Sequence, residues 1–259
     1  MALTNKTIAS TYGDILQADN SGSGRTANGT TIKDGLGQST ALTLGQNKLH
    51  VKPSTDQTDA VVIETSGGTD LLVVDSTNSA VKVGTSQTYA NTQVQRFWQH
   101  DLQPTSNTHH SMALDGHLLT VGASLDFGTG TDPATTYTLG SSEANAIALV
   151  GSTWYIPVAI TIDEVRVIAA GEAADTVNFH LFSYTMASGT GSDAGNLSAG
   201  TLLAHNGSTL TVGADRATTT TLTVDSANVA ADKVVFAFIE NVGATTDLTA
   251  QLIVKYHYQ

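Results

Sequence analysis

The sequence predicts an all-β fold, and three features of its composition and patterning support this. β-branched Thr and Val are common, whereas the helix-favouring residues Glu, Lys and Arg are scarce, and only 13% of the 259 residues are charged. Residues 42–51 and 72–83 share one template, in which an apolar-x-apolar pair, a polar turn and a second apolar-x-apolar pair follow one another. From residue 113 onward, short apolar runs recur between turn signals at a spacing typical of β-sandwiches.

Residues 1–40 are polar and rich in Gly turn signals, with one apolar cluster made by Ile8, Tyr12, Ile15 and Leu16. A segment of this composition cannot bury enough apolar surface to fold alone. It is therefore either disordered or ordered by docking on another protein, and the regular spacing of its large apolar residues favours docking. We expect this segment to be an anchor.

Residues 41–84 contain the two copies of the template, each predicted to be a β-hairpin with one apolar face. A lone hairpin of this kind is at best marginally stable in water. Other copies of the same chain are the simplest source of a covering surface, which predicts a homotrimeric β shaft. Its expected core residues are Leu42, Leu44, Leu49, Val51, Leu72, Val74, Val81 and Val83.

Residues 85–112 are predicted to be a neck between this thin shaft and a larger head. The apolar side chains of Val94, Phe97 and Trp98 suit one side of a short helix over residues 92–101, which Pro104 would stop. An irregular loop packed on the head is the alternative interpretation.

Residues 113–259 are predicted to form the head, a single antiparallel sandwich of jelly-roll type. Val177, Phe179 and Leu181 alternate with polar residues, as in a half-buried strand, while residues 234–239 are apolar on both faces, as in a central strand. One short helix is expected over residues 141–150, capped by Ser141 or Ser142. The expected strands are Leu118–Val121, Ser124–Phe127, Tyr137–Leu139, Trp154–Pro157, Ile160–Ile168, Thr176–Tyr184, Leu202–His205, Thr209–Val212, Thr218–Val224, Lys233–Glu240 and Thr249–Tyr258.

The charge and composition argue against several classes of function. The net charge is −12 and no basic patch is evident, so we expect neither nucleic-acid binding nor attraction to anionic membrane surfaces. The absence of cysteine removes disulfides, thiolate catalysis and Cys-ligated zinc. No apolar run approaches 18 residues, so no membrane insertion is expected, and the first residues do not have the pattern of a Sec signal peptide.

Histidine residues offer candidate metal ligands, although we predict no metal site and no cofactor. His109, His110 and His117 lie close in sequence with Asp115 between them, but this spacing matches no known ligand frame. Neighbouring residues on a strand also point to opposite faces. A three-fold axis could still gather three copies of one histidine, and the same holds for His257.

No catalytic residues are predicted, and the protein is not expected to be an enzyme. Asp163 and Glu164 are the best acidic pair for glycosidase chemistry, but adjacent strand residues diverge. Asp126 and Asp132 bracket a loop and could converge. Neither a Gly-x-Ser-x-Gly motif nor a phosphate-binding Gly-rich loop is present.

Large aromatic residues and long loops are the candidates for a sugar-binding surface. The aromatic residues are Trp98, Trp154, Tyr155 and Tyr184, most of which are expected to lie in cores or interfaces. The loops over residues 129–136 and 187–200 are better candidates, since loops at one end of a sandwich commonly carry binding sites.

The N-terminal half resembles structural fibre proteins of tailed bacteriophages. The resemblance lies in Thr7–Gln17, Thr31–Thr40 and Leu71–Gly84, the last of which is similar to the repeated hairpin unit of trimeric fibre shafts. It implies a virion protein whose N-terminus attaches to other virion proteins, whose shaft contains three chains and whose head faces outward. It further implies assembly in the host cytoplasm and release by lysis.

The sequence thus predicts a tail fibre or capsid fibre whose head adheres to a host-surface glycan or protein. A capsid decoration, cement or adaptor protein without a receptor role is an alternative. A polysaccharide depolymerase head is a further alternative.

Overall fold

The computed structural model describes residues 17–18, 29–34, 36–84, 88–103, 105–114, 124–242 and 247–259. It divides the chain into two compact units, Met1–Ala90 and Asn91–Gln259. The first unit ends near the predicted end of the shaft, whereas the second begins well before residue 113 and includes most of the predicted neck. The expected anchor residues Ile8, Tyr12, Ile15 and Leu16 lie outside the described residues, as do Pro104, Asp115, His117 and the strand expected at 118–121.

The first unit contains two antiparallel sheets of four strands each, and within each sheet the strands follow one another in chain order. The first sheet consists of β1 (Gln17–Ala18), β2 (Thr30–Lys33), β3 (Ser39–Leu44) and β4 (Leu49–Val51). The second consists of β5 (Val61–Glu64), β6 (Asp70–Asp75), β7 (Ala80–Val83) and β8 (Thr88–Tyr89).

Both predicted hairpins are present, and each forms the middle or end of a longer meander. Leu44 pairs with Leu49 in the first hairpin, and Val74 pairs with Val81 in the second. The turn of the second hairpin is held by Asp75, whose carboxylate accepts hydrogen bonds from the backbone and side chain of Asn78 and from Lys82 Nζ at 2.8 Å. These hydrogen bonds lower the pKa of Asp75 to about 2, with the Asn78 side chain contributing most.

The second unit is a sandwich of two antiparallel sheets, so the all-β prediction with sandwich-like sheets is confirmed. The β20 sheet has the order β10-β20-β14-β15-β18, while β12 also pairs with β20 and β16 with β14. Its strands are β10 (His109–Ser111), β12 (Trp154–Ile156), β14 (Asp175–Met186), β15 (Leu197–His205), β16 (Leu210–Val212), β18 (Thr223–Val224) and β20 (Lys233–Asn241).

The β21 sheet has the order β11-β9-β21-β13-β17, and β19 also pairs with β13. Its strands are β9 (Thr92–Leu102), β11 (Ala113–Leu114), β13 (Ile160–Gly171), β17 (Thr218–Thr221), β19 (Asn228–Val229) and β21 (Leu248–Tyr258).

The main core lies among side chains that alternate along the long strands of both sheets. All are buried, and they include Val165 and Val167 of β13, Leu252 and Val254 of β21, Val177, Phe179 and Leu181 of β14, and Val235, Ala237 and Ile239 of β20.

A second core covers the other face of the β20 sheet. Phe236 and Phe238 point into it from β20, where they meet Phe127 and residues of the single described helix, α1 (Glu143–Ser152). Ser142 caps this helix by accepting a hydrogen bond from the Asn145 backbone N–H at 3.1 Å, which confirms the predicted helix and one of its two predicted caps. Strand β20 is therefore buried on both faces, as the sequence predicted.

The predicted helix over residues 92–101 is wrong, because this segment is strand β9. It pairs with β21 from Thr92 opposite His257 to Leu102 opposite Leu248. The spacing of Val94, Phe97 and Trp98 imitates one side of a helix, but pairing with a long partner strand and burial of Phe97 in the main core decide the conformation. These three residues therefore belong to the sandwich and not to a neck.

Three smaller predictions about the head also need correction. Residues 124–127 and 137–139 form only single bridges, Asp126 with His110 and Tyr137 with Leu197, instead of strands. Strand β14 is covered on both faces along much of its length, since His180 is buried like its neighbours. The second core, which the sequence did not predict, is the reason for this covering.

Candidate functional site

The second sheet of the first unit presents one continuous apolar face made by three strands. The pairing register places Val61, Val74 and Val81 in one row and Ile63, Leu72 and Val83 in the next. Directly opposite residues share a face of an antiparallel sheet with their Cβ atoms about 5 Å apart. We call these six side chains the meander face.

The meander face remains largely open in the single chain. Ile63 is 54% exposed, Val81 43% and Val83 42%, and the other three side chains are only partly buried. On the opposite side of the same sheet, Val73 and Asp75 are almost fully buried. The side that the sequence predicts to be an oligomer core is thus open at Ile63, Val81 and Val83, while the opposite side is buried at Val73 and Asp75 and exposed at Val62 (37%) and Leu71 (50%).

The first sheet repeats this arrangement on a smaller scale. Leu42 pairs with Val51 and Leu44 with Leu49, so these four predicted core residues share a face. Leu49 is 64% exposed and Val51 37%. Full burial of one such side chain contributes roughly 1.5–3 kcal/mol, much of which an isolated chain does not gain at these positions.

Val61, which is partly buried, and Ile63, which is exposed, complete the meander face, and neither is among the oligomer-core residues predicted from the sequence. A usable signal is present in the sequence, because residues 60–64 are a β-like run followed by turn residues at 66–69. Pairing that run with β6 across the turn places both residues on the face of Leu72 and Val74.

The histidines that come together in the sandwich differ from those grouped by the sequence. His109 of β10, His180 of β14 and His205 of β15 form a row, with ring centroids 4.8 Å apart for the first pair and 6.3 Å for the second. We call them the histidine row. His110 instead hydrogen-bonds Ser124 Oγ and the Thr105 backbone N–H.

Each ring of the histidine row has a carboxylate nearby. The distances are 3.6 Å from His109 Nε2 to Glu240, 3.4 Å from His180 Nε2 to Asp132, and 2.8 Å from His205 Nδ1 to Asp225. His180 was overlooked because it alternates with Phe179 and Leu181 on a strand whose outer face was expected to meet solvent. The hairpin register that pairs it with His205 was the missing signal.

Burial, together with the neighbouring His109 and His205 rings, lowers the pKa of His180 to about 3. Burial also lowers the pKa of His110. His180 is therefore neutral at pH 7 and packs as a polar ring. Within the described residues, no group of three or more His, Asp or Glu side chains is arranged to hold a metal ion.

Each of the acidic residues considered for glycosidase chemistry lies beside a polar or charged group. His257 Nδ1 lies 2.9 Å from Asp163 Oδ1, and Arg166 donates to Glu164 at 2.9 Å. Asp126 accepts from the backbone N–H of Gly128. Asp132 lies beside His180, as described above.

The candidate aromatic residues fall into two groups. Trp154 and Tyr184 are buried, and the Tyr184 hydroxyl donates to the Ala134 carbonyl at 2.9 Å. Tyr155 is 52% exposed and donates to Asp232. Trp98 is partly exposed on the outer face of the β21 sheet, where it borders a shallow depression.

The candidate loops are both shaped by the second core and the strands beside it. The Ala134 carbonyl of the loop over residues 129–136 receives the Tyr184 hydroxyl, so this loop lies against the β20 sheet. The loop expected over residues 187–200 is shorter than predicted, because β15 begins at Leu197.

No described helix is long and apolar enough to cross a membrane. No protein-family model matches the chain, and no curated protein matches it either. One solved structure with detectable likeness is that of infectious bursal disease virus, Gx strain, with 10% sequence identity and a TM-score of 0.26 over 68% of this chain. This chain spans 34% of that one, and a TM-score this low does not establish a shared fold or function.

Proposed function

We propose that the protein is a non-enzymatic structural fibre or spike of a tailed-phage virion. The predicted anchor over residues 1–40 includes β1, β2 and the start of β3, which belong to the first meander. In this proposal the residues before β1 therefore dock on other virion proteins, the two meanders form a short three-chain shaft, and the sandwich is the exposed head. The open meander face carries the proposal, because six apolar side chains on one sheet face need a covering surface.

Sibling chains are the covering surface that requires the fewest assumptions. Closed symmetry brings the same patch of every copy to one axis, so a face that is apolar in one chain meets the same apolar face in the others. The choice of three copies rests on the resemblance of residues 71–84 to the hairpin unit of trimeric fibre shafts. It does not follow from the geometry of a single chain.

The head differs from the shaft because its hydrophobic cores form within a single chain. Its two cores contain most of the large buried side chains of the chain, including Phe97, Phe179 and Phe238. A self-sufficient head on a shared shaft is suited to multivalent adhesion. Three weak head sites held on one stalk gain avidity without a tight single contact.

The decisive measurement is the mass of the full-length protein by light scattering over a dilution series. We expect three chains per particle down to low concentration. A stable monomer whose meander residues remain ordered and protected in hydrogen exchange would contradict the proposal, because the face would then need no partner.

A deletion of residues 1–16 tests the anchor separately, because it removes Ile8, Tyr12, Ile15 and Leu16 and leaves strands β1–β4 complete. The shortened protein should remain trimeric and should fail to join virions in a complementation assay, with the full chain as the control. Normal incorporation of the shortened protein would remove the anchor assignment and leave the shaft assignment standing.

Imaging of intact particles distinguishes the adhesive role from the cement alternative. An exposed sandwich supports adhesion, whereas a sandwich buried between other virion proteins supports decoration or cement. Release of new reducing ends from host capsular glycan would instead assign a depolymerase activity.

A further inference from the structure

The outer face of the β21 sheet forms an open surface with a regular pattern of side chains. The register places Trp98, Gln251 and Ile168 in one row across β9, β21 and β13. The next row contains Arg96, Ile253 and Arg166. Ile168 is 40% exposed, and the Arg166 side chain is 55% exposed, so both rows reach solvent.

A shallow depression lies at the first row. Its lining includes Trp98, Ile168, Ala170, Ala217, Thr249 and Gln251. Its volume of about 100 Å³ is far below that of an enclosing small-molecule pocket, so any ligand must lie across the face and cannot be engulfed by it. Small side chains lie beside the indole, and Gln251 offers an amide for hydrogen bonds. The Thr249 hydroxyl accepts from the Asp101 backbone N–H at 3.1 Å and keeps its own O–H to donate.

The middle of this face is basic although the second unit as a whole is acidic. The acidic residues Asp101, Glu172, Asp215 and Asp247 lie around Thr249, beyond the Trp98 row on the side away from Arg96. Residues 91–259 contain five basic and fifteen acidic residues. Three of the five basic residues, Arg96, Arg166 and Lys255, lie on the outer face of the β21 sheet. Arg166 pairs with Glu164, whereas Arg96 has no ion-pair partner among the described residues.

We propose that this face binds an acidic saccharide, that is, a sugar chain carrying carboxylates. The indole of Trp98 stacks on the apolar side of a sugar ring, and Gln251 and Thr249 bond its hydroxyls. Arg96, which lies two residues before Trp98 on β9, pairs with the sugar carboxylate, and Arg166 on the same row supports it. The inference deepens the proposed role of the head in adhesion and rests on it.

The observations favour this ligand over two other occupants. A neutral sugar would use Trp98 and Gln251 but would leave the basic row without a partner. An acidic patch on a second copy of the chain would satisfy the basic row but would not need an amide and a hydroxyl beside an indole. The carboxylated sugar uses both rows, and charge-assisted hydrogen bonds to Arg are stronger than neutral ones.

The test measures binding of a galacturonic acid oligosaccharide to the full-length protein by calorimetry, with the methyl ester of the same oligosaccharide as the neutral comparison. We expect the acid to bind at least about tenfold more tightly than the ester, and added salt to reduce this difference. Arg96→Gln should weaken binding of the acid by about tenfold and leave binding of the ester unchanged. Lys233→Gln removes the same charge from the β20 sheet and should change neither.

Trp98→Thr should weaken binding of both oligosaccharides, since stacking does not depend on the carboxylate. If this variant fails to fold, the exposed Arg96→Gln still carries the test. Equal affinity for acid and ester, no binding of the acid, or an unchanged affinity in Arg96→Gln overturns the proposal.

Light scattering on the same variants keeps this proposal separate from the shaft proposal. A changed oligomer mass in Arg96→Gln assigns the face to a second copy of the chain and likewise overturns it. Loss of saccharide binding with an unchanged trimer mass supports it. Absence of binding in a normal trimer removes the saccharide site and leaves the shaft intact.

Discussion

The two units use the same alternation of apolar residues, with opposite results for solvent exposure. In the sandwich, Val235, Ala237 and Ile239 of β20 alternate and are completely buried between the sheets. In the second meander, Val81 and Val83 of β7 alternate in the same way and are 43% and 42% exposed. Alternation therefore identifies which face of a strand is apolar, and whether that face is buried within the chain depends on whether the same chain provides another layer.

The largest expected effect comes from placing a charge on the meander face. Val81→Asp would bring one carboxylate per chain to a shared axis, where burial without a partner strongly destabilises the assembly. We expect the mass by light scattering to fall from three chains to one, and Leu44→Asp to weaken the trimer through the first sheet. Leu71→Asp is the matched control, because Leu71 is 50% exposed on the opposite side of the same sheet.

An unchanged trimer mass in Val81→Asp, or equal loss in Leu71→Asp, would show that this face is not the interface. The sandwich should keep its near-ultraviolet circular dichroism in every variant, since its cores lie within one unit. A loss of that signal would mean that the two units do not fold independently.

Local patterns were sufficient to predict much of this fold. The hairpin turn between Val74 and Val81, the cap at Ser142 and the doubly buried strand over residues 234–239 all follow from residues close together in sequence. In each case, turn chemistry, capping and apolar periodicity point to one structure. The predicted oligomer-core residues also fall on one face of each sheet, because the register of a hairpin determines which side chains share a face.

Pairing between distant residues explains what the sequence did not predict. Strand β9 pairs with β21, more than 140 residues away, and this partner outweighs the helical spacing of Val94 and Phe97. Likewise, the histidine row forms from three strands, and His109 meets His180 only after β10 and β14 both flank β20. No motif within a short window contains that information.

A substitution in the main core of the sandwich tests whether the stability of the head is separate from trimer formation. Phe179 is completely buried in the main core, and Phe179→Ala should reduce the free energy of unfolding of the head by about 3–5 kcal/mol. The trimer mass should not change at temperatures where the head remains folded. Val158→Ala, at a position 50% exposed in the same unit, should cost little by the same thermal melts. Dissociation of the trimer in Phe179→Ala would contradict the separation of roles.

Lowering the pH should reduce the stability of the sandwich before that of the shaft, because the histidine row lies in the sandwich. The folded-state pKa of His180, about 3, is below its ordinary value of 6.5, so the unfolded chain binds more protons between these pH values. Stability is therefore fully present above pH 6.5 and falls as the pH is lowered toward 3. From this group alone we expect a loss of about 1.5 kcal/mol between pH 6.5 and pH 5.

Thermal melts across that pH range provide the measurement, and His180→Gln should flatten the dependence. The groups that face His180 are His109 and His205, which disfavour its protonation, and Asp132, which lies 3.4 Å away on the loop. The exposed His100→Gln serves as the control and should leave the slope unchanged. A flat profile in the unmodified protein would mean that Asp132 compensates the charge on protonation.

The smallest expected effect concerns the helix that closes the second core. Ser142 caps α1 by accepting from the Asn145 backbone N–H, so Ser142→Ala should reduce the stability of the head by about 1 kcal/mol. In a domain of this size such a change lowers the melting temperature by about 2–4 °C. Ser141→Ala removes the neighbouring hydroxyl without touching the cap and should have no comparable effect. Because the meander face does not depend on α1, the trimer mass should be the same in both variants, and a shift in mass would couple the helix to the shaft.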